Sequence, residues 1–240
     1  MFAYDSQLRT LLQTTPASIA DVLATMQSID SLTVDGDGLK WFNWLYYQVT
    51  KAVEDKVQSG GFTDPAFLAL LDVQFATLYF NALKGSLGGQ SIPDCWQTLF
   101  SCRDDVHLAR IQCALAGINA HINHDLPLAI VATCQVMNLI PHHGTSQYND
   151  YTGLNTTLDS LVESAKETLH VRLLGDALPP VSVLENTIAA WNVSAAREAA
   201  WNNSEILWHL RPEPLLVTGF DNTLDGLTTV VSKGLLVDIP

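Results

Sequence analysis

The chain has 240 residues, 48% of them hydrophobic and only 15% charged, which suffices for a sizeable core and excludes a disordered chain. Twelve basic residues against twenty-five acidic ones give a formal net charge of −13, which argues against nucleic acid or anionic membranes as partners. No uninterrupted apolar run reaches the roughly 18 residues of a membrane span, no signal peptide is read in MFAYDSQLRTLL, and Cys95, Cys102, Cys113 and Cys134 lack metal or redox spacing, so a cytoplasmic protein with free thiols is expected.

Helical periodicity runs along nearly the whole chain. After Thr14-Thr15-Pro16, SIADVLATMQSI spaces its apolar residues for a helix. Asp35-Gly36-Asp37-Gly38 is a turn, and LKWFNWLYYQVTKAVEDKV predicts a long aromatic helix that Gly60-Gly61 ends. Thr63-Asp64-Pro65 restarts the chain with a capping residue and a first-turn proline. The helix predicted over 64–84 is apolar on nearly every side, hence central and buried, and Gly85, Gly88 and Gly89 close it. A short helix at PDCWQTLF is followed by a long one opened by Asp104-Asp105 and running to Asp125. Pro127 either kinks it or opens the next helix, PLAIVATCQVMNLI. Pro141-His142-His143-Gly144 is a loop, and residues 150–174 form a helix closed by Gly175 and Pro179-Pro180. Further helices are predicted over 182–191 and 194–210, and a last apolar segment over 223–237. No strand pattern, repeat or dividing linker is visible. The expected fold is all-α, one domain over 1–240, a bundle of about eight to ten helices.

In such a fold, function is sought where polar groups occupy faces that should be apolar. Asp72 lies about 200° around its helix from Gln74, opposite the polar stripe Gln74, Thr77 and Asn81. Its carboxylate is expected to point into the core, as a hydrogen-bonded structural group or as a functional one. On 104–125, His107, Ile111, Ala114, Ile118, His121 and Asp125 share one stripe, with His124 at its edge. His121 and Asp125 stand one turn apart, the spacing at which two side chains hold one metal or an acid orients an imidazole. The blander alternative makes Asp125 a helix cap and His121 a satisfied core histidine. Asn119 and Asn123 form a second pair on the opposite side. On 194–210, Arg197 stands among alanines one turn before Trp201 and suits a buried carboxylate such as Asp72 or Asp125. Glu205 and His209 mirror the His121 and Asp125 pair and could complete a metal site, although a polar stripe is more often a solvated face.

The segments FNWLYYQVT (42–50), LDVQFATLYFNAL (71–83), PDCWQTLF (93–100), AGINAHINHDLPLA (116–129) and AREAAWNNSEILW (196–208) resemble one bacterial and fungal family of small helical proteins, catalogued as a domain of unknown function. The resemblance spans most of the chain, and a NAHIN-x-DLP element is its most specific part. It falls on Asp72, Asn119, His121, Asn123, Asp125, Arg197 and Trp201, leaves out His124, and brings no reaction with it.

The leading expectation is an enzyme with an enclosed, aromatic-lined pocket for a small-molecule substrate. Asp72, His121 and Asp125 would be catalytic and would hold a divalent metal, zinc first by ligand type, with hydrolysis of a small or lipophilic substrate as the default chemistry. Asn119, Asn123, Arg197, Tyr79 and Trp201 would contact the substrate. Without a metal, His121 would act as general acid or base in an isomerase, lyase or cyclase. The competing class is a non-catalytic helical module that binds a hydrophobic small molecule.

Overall fold

The structure is a computed structural model and describes residues 2–173 and 192–237. After a short α1 (Asp5–Leu11), each of the next three helices starts where a small polar side chain can take a free backbone N–H. Ser18 accepts from Asp21 N ahead of α2 (Ile19–Leu32), Asp37 from Leu39 N ahead of α3 (Gly38–Gln58), and Asp64 from Phe67 N ahead of α4 (Pro65–Leu87). The remaining elements are α5 (Asp94–Ser101), α6 (Arg110–Ala120), a π turn (His121–Asp125), α7 (Leu126–Met137), α8 (Ser146–Thr152), α9 (Asn155–Leu173), α10 (Val193–Leu210) and α11 (Pro214–Leu235). The fold is all-α.

Several boundaries differ from the expected ones. The helix predicted to open at Asp104-Asp105 begins six residues later. Asp105 gives its carboxylate to the N–H of His107 in a turn, and Gln112 reaches back to the N–H of Ala109, so the start lies at Ala109. His107 is therefore an exposed loop residue, off the stripe that carries His121. Pro127 stands in the first turn of α7, one of its two expected placements, without turning the chain out of the helical path. Helix runs on from Arg110 to Met137, and the wider π turn lies just ahead of the proline, which has no N–H to give. The helix predicted over 150–174 is two, α8 and α9, parted at Gly153-Leu154, and the last helix starts at Pro214 rather than near 223. Gly175, Pro179-Pro180 and the helix predicted over 182–191 lie outside the described residues. By length and mean hydropathy (1.5 over its best window) α4 is apolar enough to cross a membrane, but half of that window is buried inside the molecule, as in the core helix of a globular fold.

Two apolar clusters form the core. One gathers Met26, Trp41, Phe42, Tyr79, Trp96 and Leu115; the other gathers Phe67, Leu126, Ile130, Tyr151, Leu158 and Trp201. Tyr47, Val49, Phe75 and Ile122 pack against both, so they mark the seam between them. The segment that crosses the seam is α6, the π turn and α7. Every residue from Ile111 to Ala120 is buried, a more complete enclosure than that of α4. Gly117 lets α3 come this close: a Cβ there would stand 2.4 Å from Cγ of Phe42.

Candidate functional site

A π turn inserts one residue into the helical repeat and so rotates the residues after it. In HINHD this brings His121, His124 and Asp125 inward together, each no more than 3% exposed. Asp125 Oδ2 accepts from Trp96 Nε1 at 3.0 Å and pairs with His121 Nδ1 at 3.0 Å, while its Oδ1 pairs with His124 Nδ1 at 2.8 Å. His124 Nε2 lies 3.2 Å from Asp221 Oδ1 on α11, an ion-pair contact at an angle outside hydrogen-bond geometry.

The two histidines of this turn differ in charge. Burial opposes a charge on His124, but its contacts with Asp125 and Asp221 outweigh that and raise it to about 10. Burial also pushes Asp125 up, yet the two histidines hold its carboxyl below the usual range. At neutral pH this is an imidazolium beside a carboxylate. His121 is held below its ordinary value by burial, which Asp125 only partly offsets, so its ring is neutral. A carboxylate only accepts, which puts the His121 proton on Nδ1 and leaves a lone pair on Nε2.

That Nε2 is buried without a hydrogen-bond partner. The ring is stacked on Phe75 with centroids 3.4 Å apart and meets the Tyr46 ring edge-on at 4.4 Å. It lines a small cavity of about 50 Å³ in the seam, walled chiefly by Phe42, Val49, Ile122, Leu158 and Val193. A neighbouring cavity of about 40 Å³ shares Tyr46, Val49, Phe75, Leu158 and Arg197 with the first and adds Asp72. Two buried polar atoms on these walls lack a partner, His121 Nε2 on the first cavity and Asp72 Oδ2 on the second, while the buried hydroxyls of Tyr46 and Thr50, one turn apart on α3, interact with each other. Each atom left without a partner costs about 1–3 kcal/mol. Burial, and then the charge of Glu54, pushes Asp72 up to about 8, and burial raises Tyr46 well above its ordinary value. Both therefore keep a proton to donate at neutral pH. The arrangement places a lone pair on His121 and donors on Tyr46 and Asp72 around apolar space.

Of the residues singled out in the sequence, His121 and Asp125 meet as their spacing predicts. Asp72 lies on the second cavity and does not join them as a ligand set; among the described residues no three His, Cys, Asp or Glu side chains are placed to hold a metal ion. Arg197 pairs with neither Asp72 nor Asp125. Its Nε donates to Asn155 Oδ1 at 2.8 Å and its Nη2 to Tyr151 O at 2.8 Å, and it lies 4.0 Å over the Tyr151 ring, because α10 packs on α8 and α9 there. Asn119 donates to Thr228 O and Ser232 Oγ, both at 2.9 Å, and accepts from Asn123 at 2.8 Å; the pair fastens α11 and lines neither cavity. Tyr79 donates to Asn43 within the first cluster and Trp201 to Glu205 beside the second, and neither lines the cavities. Glu205 meets His143 at 2.7 Å rather than His209, which is exposed, so those two do not complete a metal site.

Tyr46, Thr50, Trp96, His124 and Asp221 are the members of the site that periodicity does not single out. Trp96 carries the one usable signal, since a buried indole N–H needs an acceptor. His124 sits one residue out of phase in an α-helix and turns inward only through the π turn. No curated protein and no solved structure shows a significant match to the chain. The family of unknown function DUF5995 matches residues 19–238, nearly the full length and all five of the resembling segments, and the chain belongs to that family.

Proposed function

We propose that the chain is an enzyme whose His121, oriented by Asp125, acts as a metal-free general base on a small, largely apolar substrate. The observation that carries this reading is the Nε2 lone pair of His121, buried without a partner on a cavity wall while Nδ1 is held by Asp125. Proton transfer of the isomerase, lyase or cyclase kind fits this arrangement. His121 Nε2 takes a proton from the substrate, Asp125 stabilises the imidazolium that forms, and Tyr46 or Asp72 supplies a proton where negative charge develops. Trp96 and His124 hold Asp125 in place and ionised. The metal-dependent alternative is less favoured, because both Asp125 oxygens are already engaged by Trp96, His121 and His124. The two cavities together suit a ligand on the order of half a dozen heavy atoms.

Non-catalytic binding of a hydrophobic small molecule is the second reading, favoured by the apolar walls supplied by Phe42, Val49, Phe75 and Ile122. Proton exchange separates the two. A panel of small carbonyl compounds incubated with the protein in D2O should include members whose carbon-bound hydrogens exchange with the wild type and not with His121→Gln of unchanged melting temperature. Exchange that is equally fast with His121→Gln, or absent across the panel, supports the binding module instead.

A further inference from the structure

The guanidinium of Arg197 is buried, 7% exposed, and lines both cavities of the seam. Among the described residues its hydrogen-bond and ring partners are neutral: the Asn155 side-chain oxygen, the Tyr151 carbonyl and the Tyr151 ring. Among the described residues no carboxylate stands within 4 Å of it, and its Nη1 makes no hydrogen bond. Among the described residues the carboxylate that acts on it is Asp159, from beyond 4 Å, so the cation is only weakly compensated, and natural cores rarely keep such a cation unless something anionic comes to it. The edge formed by Nη1 and the second hydrogen of Nη2 is the fork that matches a carboxylate. His121, with its Nε2 lone pair, lines the first cavity and Asp72, with its unpartnered Oδ2, the second, and Tyr46, Val49, Phe75 and Leu158 line both.

We infer that the seam binds a short monocarboxylate, its carboxylate on the free edge of Arg197 and its apolar body against Val49, Phe75 and Leu158, reaching toward His121. One arginine in a space this small suits a single negative charge and leaves too few donors for a phosphate. The inference rests on the acid and base reading of the same cavity for its chemistry, but not for its binding.

Binding of butyrate and of its neutral isostere butyramide to the full chain, followed by calorimetry and by the shift in melting temperature, tests it. Butyrate should bind at least roughly tenfold more tightly than butyramide, and Arg197→Lys, which keeps the charge and loses the fork, should remove most of that preference. Val49→Phe, which fills the space without touching Arg197, should abolish binding of both. His121→Gln should still bind butyrate, and proton exchange that is as fast in His121→Gln as in the wild type, or absent from both, with butyrate binding retained would defeat the catalytic reading and leave this one standing. Equal binding of butyramide, an unchanged preference in Arg197→Lys, or no binding of either compound to the folded wild type would overturn it.

Discussion

Two groups of buried polar side chains lie along the same continuous helix, Arg110–Met137, and they are built on opposite rules. Gln112, Asn119 and Asn123 commit their amides: Asn123 donates to Asn119, Asn119 to Thr228 O and Ser232 Oγ of α11, and Gln112 to Leu235 O and Val237 O at and just beyond its end. Between Asn119 and Asn123, at the start of the π turn, His121 lies on a seam whose cavity walls carry two unpartnered buried polar atoms, its own Nε2 and Asp72 Oδ2. The first group completes its hydrogen bonds and fixes a helix. The second leaves bonds unmade where two apolar clusters meet, which is where an internal ligand site disturbs packing least. Asp125 belongs to both descriptions, because it is fully engaged by Trp96, His121 and His124 and yet is what keeps His121 aimed.

The comparison breaks or sharpens under substitution. Asp125→Ala should have the largest effect. It leaves the His124 Nδ1–H and the Trp96 N–H buried without an acceptor, and a loss of about 3–5 kcal/mol in urea unfolding is expected. Asn119→Ala should come second with about 2–3 kcal/mol, from the lost contacts to α11 and an Asn123 amide left without its acceptor, while ligand binding in the seam is unchanged. If Asn119→Ala instead lost binding at full stability, the division between a fastening group and an open site would fall. Gly117→Ala should cost about 1–3 kcal/mol, because the new methyl meets the buried Phe42 ring, and it should be readable as a lower melting temperature.

Asp72 gives a pH-dependent test. Its carboxyl is raised to about 8 in the folded chain, so between its unfolded value of about 4 and that point the folded state binds more protons than the unfolded one. Stability should therefore fall as pH rises through this window. Asp72→Asn should flatten that fall and melt above the wild type at pH 8, with little difference at pH 4. A wild-type slope retained in Asp72→Asn would place the titration on another group. The smallest effect on stability is expected for His121→Gln, within about 1 kcal/mol, since the Gln amide can take over the Nδ1–H bond to Asp125 and Nε2 makes no bond to lose.

Much of the fold is legible in the sequence because it rests on local chemistry. Ser18, Asp37 and Asp64 cap the helices they precede, and the period of 3.6 shows through α2, α3 and α4. The pairing of His121 with Asp125 is legible for the same reason, since four residues along a helix are neighbours. The surroundings of that pair are not. A π turn leaves no periodic trace, so His124 reads as one position out of phase, and the loop at 102–109 is set by where Asp105 and Gln112 find partners. Arg197 shows the limit most plainly. Its composition context marks it as buried, but whether a buried arginine meets Asp72, Asp125 or the carbonyl of Tyr151 depends on which helix α10 packs against, and the sequence of α10 does not say.

The central claim concerns one nitrogen. Nitrogen-15 NMR of histidine-labelled protein reports the protonation of each ring nitrogen directly, and His121→Gln assigns the resonances. At pH 7 His121 should show a protonated Nδ1 and a bare, pyridine-like Nε2, distinct from the doubly protonated ring of His124. A His121 ring carrying its proton on Nε2, or protons on both nitrogens, would contradict the account.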